Sequence, residues 1–172
     1  MAHPFMQQLR NFNKKGASII EIVVVVGILV TALSALAGLL ALSLQVESIL
    51  SQEREAQALA QETMEAVRSF RNQTDWDVDG LNTIAFFTPY FPEQTGSPAV
   101  WTLTAGTETI GIFERQVVFE EVYRDGGGNI VEIGGSLDFN SRFADITVSW
   151  EERGRTHTVE QRTVFTNWQE TP

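Results

Sequence analysis

Three aspartates, Asp75, Asp77 and Asp79, stand at alternate positions and are followed directly by Gly80. Alternating carboxylates that end in a glycine match the first half of a calcium-binding loop, in which the acids ligate Ca²⁺ and the glycine allows the turn. The bidentate glutamate that completes such a loop is missing, because Phe86 occupies its position six residues after the glycine. We therefore interpret the three aspartates as a solvated acidic turn and keep calcium binding as a minor hypothesis.

Residues that could support catalysis are few. His3 lies near the start of the chain and His157 in a predicted strand, so no histidine pair is available for a metal. No serine stands in a G-x-S-x-G turn. The paired acids Glu120-Glu121 and Glu151-Glu152 are adjacent, and neighbouring side chains of a strand point to opposite faces. The sequence predicts a protein that is not an enzyme and needs no cofactor, with a glycosidase that uses two distant acids as the one open exception.

Charge is divided unevenly along the 172 residues, whose formal net charge is −10. The first 16 residues contain Arg10, Lys14 and Lys15 but no acid, and the rest carries 9 arginines and 22 acids, a net of −13. An acidic main part argues against nucleic-acid binding, which needs a basic face against the phosphates. The absence of cysteine excludes disulfides, thiolate metal sites and a cysteine nucleophile.

A run of 23 residues without an ionisable side chain extends from Ile22 to Leu44. As a helix it would measure about 35 Å, enough to cross a bilayer core of about 30 Å. The basic residues before it predict a cytoplasmic N-terminus and a main part outside. Two alternatives are a cleaved secretory signal, which would end at Ala35-Leu36-Ala37, and a simple signal anchor. Neither explains Glu21, because an acid within an apolar helix is costly. A buried core helix is disfavoured by the length of the run.

The residues around Glu21 give that acid a specific interpretation. The segment Lys14-Lys15-Gly16-Ala17-Ser18-Ile19-Ile20-Glu21 resembles the prepilin signal of type IV pilins and type II secretion pseudopilins. In that family basic residues, a glycine and a glutamate at the fifth place after the cut precede an apolar helix. The resemblance implies that the prepilin peptidase cuts between Gly16 and Ala17 and methylates the new amine, although the family usually has phenylalanine where Ala17 stands. It also implies that Glu21 pairs with the N-terminal amine of a neighbouring subunit.

Beyond the apolar run the pattern predicts an amphipathic helix as far as Arg71, with apolar residues at a period near 3.6 that pack on a globular domain. This stripe consists of Val46, Ile49, Leu50, Ala56, Leu59, Ala60, Met64, Val67 and Phe70. After Leu81, three prolines, Pro89, Pro92 and Pro98, predict an irregular connection.

Residues with high strand propensity fill most of the chain after the prolines, and glycines separate them. The predicted strands are 99–104, 110–124, 130–133, 145–152 and 156–168, the last two forming a hairpin. In the second of them Phe113, Val117, Phe119 and Tyr123 are expected on one side, and in the fourth Ile146, Val148 and Trp150 share a face.

Together these elements predict an α+β fold, in which one long helix packs on a C-terminal antiparallel sheet. The expected parts are a cytoplasmic leader (1–16), a long helix (17–71) that is transmembrane to about residue 44, and a globular β-rich domain (72–172). Residues 138–142, 146–150 and 166–168 are similar to the last part of minor pilins that help to prime pilus assembly. The resemblance therefore implies a pilin-like fold.

The function implied by the resemblance is that of a structural subunit, a minor pilin or pseudopilin. Such a subunit is held in the cytoplasmic membrane with its C-terminal domain outside, and then enters a pilus or a secretion pseudopilus. Its partners would be other pilin subunits, reached through the N-terminal helix, the prepilin peptidase, the assembly machinery and the membrane. The alternative is a signal-anchored exported β domain that acts as a binding module or an unrecognised hydrolase.

Overall fold

Residues 18–168 are described by a computed structural model as one long helix, a turn of 3-10 helix and seven strands. The helix α1 spans Ile19–Gln73, and the 3-10 turn spans Leu81–Thr83. The strands are β1 Pro89–Thr95, β2 Val100–Ala105, β3 Glu108–Ile110, β4 Phe113–Arg124, β5 Ile130–Val131, β6 Ser136–Glu152 and β7 Arg155–Thr166. The helix packs on an antiparallel sheet, so the predicted α+β layout is confirmed, whereas the pilin-like fold stays a prediction.

The helix α1 begins two residues after the expected start and ends two residues after the expected end. Ser18 lies just before it, and its carbonyl oxygen accepts hydrogen bonds from the N–H groups of Glu21 and Ile22 at 2.9 and 3.2 Å. An acid in the first turn and Arg71 in the last turn complement the helix dipole. No proline or glycine interrupts residues 39–73, which is why the helix continues without a break through its amphipathic half.

The sheet is built around β4 and β6, which pair over most of their lengths. Its order is β2-β1-β4-β6-β7, and the short strands β3 and β5 also pair with β4. The edge of β4 opposite β6 is shared, because β3 pairs near its start, β1 near its middle and β5 near its end. Every pairing is antiparallel, as the hairpin connections require.

The hairpin predicted for the last two strands is confirmed by β6 and β7, and its turn is shorter than the expected Arg153-Gly154-Arg155, because Arg155 belongs to β7. Glu152 and Arg155 form the last pair of the ladder, so the loop contains only two residues. Both have positive φ, 53° at Arg153 and 74° at Gly154, as expected for the turn type that best matches the twist of a hairpin. This geometry holds the tip of the hairpin in one defined backbone conformation.

The prediction of an irregular connection around the prolines was wrong, because Pro89–Thr95 is a strand. The carbonyl of Pro89 accepts a hydrogen bond from the N–H of Gly106 at 2.8 Å, so the alternation along the strand turns Pro92 away from β2. The strand pairs with β4 only at Pro89 and Tyr90. The nitrogen of Pro92 therefore lies on the side of β1 where no strand is paired with it. The missing N–H leaves no acceptor without a donor there, and a strand tolerates proline at such a position.

A hydrophobic core lies between the amphipathic part of α1 and one face of the sheet. Its helical side consists of Ala56, Ala60, Val67 and Phe70, with Leu59 and Met64 packed at its margin. Its sheet side consists of Phe113, Val117, Phe119, Ala144, Ile146, Val148, Trp150 and Phe165. Burial of each large side chain contributes about 1.5–3 kcal/mol. The predicted stripe is confirmed from Ala56 onward, whereas Leu50 is exposed.

The sheet face of β4 departs from the predicted alternation at one point. Tyr123 was expected on the same side of the strand as Phe119, but the register against β6 shifts between Glu121 and Tyr123. Because of this irregularity Val122 is buried in its place and Tyr123 turns to the exposed side.

The described residues divide into two units between Ser48 and Ile49. In the first unit, α1 contains an 18-residue window of mean hydropathy 2.7, none of which is buried. A core helix of a soluble protein would be mostly buried, so that interpretation of the apolar run is wrong. By length and composition, the helix is able to cross a membrane.

Candidate functional site

Glu21 lies in the first turn of α1 with its side chain exposed among apolar neighbours. Within the described residues its carboxylate makes no hydrogen bond and no ion pair. Gly16 and Ala17, the residues of the expected cleavage site, lie outside the described part of the chain. The carboxylate is thus available to a cation that another group supplies, and an acid within apolar surroundings is strongly stabilised by such a partner.

Two hydroxyl groups farther along the apolar part of α1, those of Thr31 and Ser34, are bonded within the helix. Thr31 Oγ1 donates to the carbonyl oxygen of Ile28 at 2.9 Å, and Ser34 Oγ donates to that of Val30 at 2.8 Å. Such bonds to the preceding turn satisfy the hydroxyls without a partner molecule. Glu21 differs from these polar residues because a carboxylate cannot be satisfied in this way.

The acidic turn after α1 uses its carboxylates to hold its own backbone. Asp75 Oδ1 accepts the N–H groups of Asp77 and Val78 at 3.0 and 3.2 Å, and Asp79 Oδ1 accepts the N–H of Asp75 at 2.8 Å. Asp77 Oδ1 accepts a hydrogen bond from the side chain of Asn82 at 2.7 Å. Over residues 18–168, no three His, Cys, Asp or Glu side chains form a group that could hold a metal ion. The three aspartates therefore hold their own turn together, as Asx motifs do, and calcium binding stays a minor hypothesis.

The same turn anchors the end of the helix to the sheet unit. Trp76 is buried, and its indole Nε1 donates to the carbonyl oxygen of Phe139 at 3.1 Å. Gly80 permits the tight return of the chain, because a Cβ at this position would collide with the carbonyl group of Asp75. The turn thus has a structural role that the calcium pattern did not indicate.

His157 lies on β7 in a position that does not suggest catalysis. Its ring stacks on the indole of Trp150, with centroids 5.3 Å apart and planes inclined by 19°. It makes no hydrogen bond to any residue in the described part of the chain. A nucleophile–histidine–acid triad needs a hydroxyl on one ring nitrogen and a carboxylate on the other, and neither group is bonded to this ring. That the protein is not an enzyme stays a prediction.

Arg142 is a buried cation that the sequence did not single out. Its Nη2 donates to the carbonyl oxygen of Asn82 at 3.1 Å, and its guanidinium lies over the ring of Phe86, 3.8 Å from the centroid. Burial lowers the pKa of Arg142, and the nearby charge of Glu121 partly opposes that effect. Nε and Nη1 are buried without a hydrogen-bond partner among the described residues. The cation is thus compensated by its cation–π contact with Phe86, by the hydrogen bond to Asn82 and by the nearby charge of Glu121.

A groove lies on the face of the sheet opposite the core, and we call it the outer groove. Its volume is about 630 Å³. It is lined by Phe87, Glu120, Glu121, Tyr123, Ile130, Val131, Glu132, Phe143 and Arg162. Arg162 lies over the ring of Phe143, 4.1 Å from the centroid, and donates from Nη2 to Glu120 at 2.8 Å. The groove therefore combines aromatic walls with three carboxylates and one guanidinium.

Glu120 and Glu121 both line this groove, although adjacent strand residues were expected on opposite faces. The register shift that follows Glu121 removes the simple alternation. Glu121 accepts a hydrogen bond from the hydroxyl of Tyr123 at 2.6 Å, and that bond raises the pKa of the tyrosine. No periodicity in the sequence indicates the groove, because its residues come from four separate segments and from the loop that holds Phe87.

Comparisons with protein-family models, with curated proteins and with solved structures found no match for this chain. Inferences about function therefore depend on the residues themselves and on the contacts described above.

Proposed function

We propose that the chain is a prepilin-like subunit, a minor pilin or pseudopilin that the prepilin peptidase processes after Gly16 and that enters a filament through α1. The observation that carries this proposal is the position of Glu21. It is the only ionisable residue between Ser18 and Val46, it lies in the first turn of an apolar helix, and it follows a basic leader and Gly16 at the spacing of a prepilin signal.

The exposed surface of α1 supports the proposal. The apolar window in residues 19–48 is not buried against any described part of the chain, so lipid or other helices must cover it. In the membrane the lipid covers this surface, and Glu21 lies near the cytoplasmic headgroups. In a filament, the same surfaces of neighbouring subunits cover one another.

Glu21 sets the register of that assembly. Cleavage before Ala17 creates a positively charged amine four residues ahead of the glutamate in each subunit. Removing a lone carboxylate from water is costly, whereas a carboxylate paired with an amine within a few ångströms is favoured in its charged form. The amine of one subunit and Glu21 of the next therefore attract each other in one relative position only.

The sheet unit has the layout that such a subunit needs, with an amphipathic helix packed on one face of an antiparallel sheet. The similarity of residues 138–168 to the last part of minor pilins favours a minor pilin or pseudopilin over an abundant subunit. The localisation that follows is the cytoplasmic membrane first, and a pilus or secretion pseudopilus afterwards.

The distribution of lysine offers a direct experiment. Lys14 and Lys15 are the only lysines, so the uncut chain has three amines that an amine-specific reagent can label, and the chain cut after Gly16 has one. The chain should therefore lose two labels when it is produced together with a prepilin peptidase, and keep all three with an inactive peptidase. Three labels under both conditions would contradict the proposal and favour a signal-anchored exported domain.

A further inference from the structure

Two arginines at the tip of the β6–β7 hairpin have no partner in the described part of the chain. Six of the nine described arginines make an ion pair, a hydrogen bond or a ring contact, and the exceptions are Arg54, Arg153 and Arg155. Arg153 and Arg155 flank Gly154 and are both exposed. Because the two-residue turn fixes the backbone, the tip carries its two arginines on a defined backbone.

The outer groove carries the complementary charge at the other end of the same strands. Its lining contains Glu120, Glu121 and Glu132 against the single cation Arg162. Glu120 is paired with Arg162, whereas Glu132 has no partner among the described residues. The groove thus has two carboxylates more than guanidinium groups, which matches the two free arginines of the tip.

The walls of the groove suit the flat face of a guanidinium. Phe87 is 65% exposed and has a positive φ of 55°, and it lines the groove together with Ile130. Within the groove, Arg162 already lies over the ring of Phe143 while it pairs with an acid. An entering arginine would find the same combination of aromatic ring and carboxylate.

The tip cannot reach the groove of its own chain. Phe143 in the groove and Glu152 at the tip are nine residues apart on β6, a distance of about 30 Å along an extended strand. That separation is several times the length of an arginine side chain. Any pairing between tip and groove is therefore a contact between two copies.

We propose that the hairpin tip of one copy docks into the outer groove of a second copy, with Arg153 and Arg155 beside Glu121 and Glu132. This contact joins two different surfaces, so it is head-to-tail and generates open-ended assemblies unless a ring closes. It deepens the proposed function, on which it rests for its place in a filament. Glu151 and Glu152 precede the tip, so the attraction acts at contact range and not from a distance.

The absence of cysteine makes the contact testable by disulfide cross-linking of the full chain in membranes. Thr156→Cys marks the tip and Ile130→Cys marks the groove, and neither substitution removes a charge. When the two variants are mixed and oxidised, we expect a mixed disulfide dimer, and we expect oligomer ladders from the chain that carries both cysteines. Gln61→Cys, on the exposed side of α1, is the matched control and should give no mixed dimer with Ile130→Cys.

Charge reversal tests whether the arginines are responsible. On the Thr156→Cys background, the pair Arg153→Glu and Arg155→Glu should abolish the mixed dimer. The pair Glu121→Arg and Glu132→Arg on the groove partner should restore it. Two results would overturn the proposal. One is that no mixed dimer forms when all four charged residues are unaltered, and the other is that the dimer persists when only the two arginines of the tip are reversed.

Labelling of amines in the same samples separates this contact from the proposed function. Cleavage after Gly16 without cross-linking contradicts only the contact, and cross-linking without that cleavage contradicts only the prepilin function.

Discussion

The indole Nε1 of Trp150 donates a hydrogen bond to Gln52 Oε1 at 3.0 Å, joining residues 98 positions apart in the chain. Trp150 belongs to the last hairpin and lies edge-on to Phe113, with ring centroids 5.6 Å apart, while Gln52 lies on α1. The helix and the sheet are therefore held in register by a specific polar contact as well as by apolar packing. Buried Trp N–H groups usually need such a partner.

Gln52→Met should destabilise the fold because it leaves the indole N–H of Trp150 buried without an acceptor. The expected loss is about 1–3 kcal/mol in the free energy of unfolding. Denaturant unfolding of the chain in detergent, followed by tryptophan fluorescence, measures it. Gln57→Met is the control, since Gln57 is exposed and its side chain hydrogen-bonds, among the described residues, only to Glu53, at 3.5 Å. This substitution should change stability by less than about 0.5 kcal/mol. Equal effects of the two variants would refute the role of the contact.

Ala60→Leu should destabilise the packing of α1 on the sheet. Ala60 is fully buried in the core cluster, so a larger side chain must displace its neighbours. Overpacking of this kind costs about 1–3 kcal/mol. The neighbouring Gln61 is exposed, and Gln61→Leu should leave the unfolding midpoint nearly unchanged. A stabilised Ala60→Leu variant would mean that the helix does not lie as close to the sheet as described.

Asp138 and Asp145 should affect the pH dependence of the free energy of unfolding in opposite directions. Burial acts to raise the pKa of Asp138, but hydrogen bonds from Ser141 and Arg124 hold that pKa below its ordinary 3.8. The folded state then binds protons less readily than the unfolded state, so the stabilisation is present above pH 3.8 and is lost as pH falls through the lowered pKa. Asp138→Asn should cost about 1.5–3 kcal/mol at pH 7 and almost nothing once the pH is below the lowered pKa of the folded state.

Asp145 behaves in the reverse sense, because burial raises its pKa above 3.8 against the weaker opposing effect of Arg162. The folded state holds the proton more tightly, so stability falls as pH rises from 3.8 through the raised pKa. Its Oδ2 is buried without a hydrogen-bond partner among the described residues. Asp145→Asn should remove this decline and be as stable as the parent or more stable at pH 7. Unfolding curves across the acidic range measure both variants, and a loss of stability at pH 7 in Asp145→Asn would contradict the assignment.

Glu21→Ala should leave membrane insertion and cleavage normal and impair entry into a filament. The reason is that the apolar surface of α1 is unchanged, while the partner for the neighbouring amine is lost. Glu47→Ala, which removes the next acid along the helix, is the matched control and should assemble normally. Shearing of filaments from the cell and immunoblotting of the sheared and membrane fractions measure entry. Unimpaired assembly of Glu21→Ala would contradict the role assigned to Glu21.

Much of the fold follows from local patterns in the sequence. The long helix was predictable because residues 39–71 lack proline and glycine, and the last hairpin because Gly154 stands between two alternating segments. The strand at Pro89–Thr95 was missed because proline is unusual inside a strand. Pro92 is tolerated since no strand pairs with β1 on the side of its nitrogen, and that depends on the sheet as a whole. Tyr123 was placed on the wrong face because the irregularity after Glu121 depends on pairing with β6.

The outer groove could not be predicted for a related reason. Phe87, Glu132 and Arg162 come from separate segments, and only the pairing of the strands brings them together. The buried position of Arg142 was also hidden, because it depends on Asn82 and Phe86 in the loop before β1. Glu21 is different, since the chemistry proposed for it rests on spacing along the chain alone.

The mature N-terminus tests the central proposal most directly. Mass spectrometry of the terminal peptide, from chain produced together with a prepilin peptidase, reads both the residue and its methylation. The proposal predicts Ala17 with an N-methyl group, which requires cleavage after Gly16. Gly38 would indicate signal peptidase cleavage after Ala37, and a retained Met1 would indicate a simple anchor. Either of these two results would contradict the prepilin function.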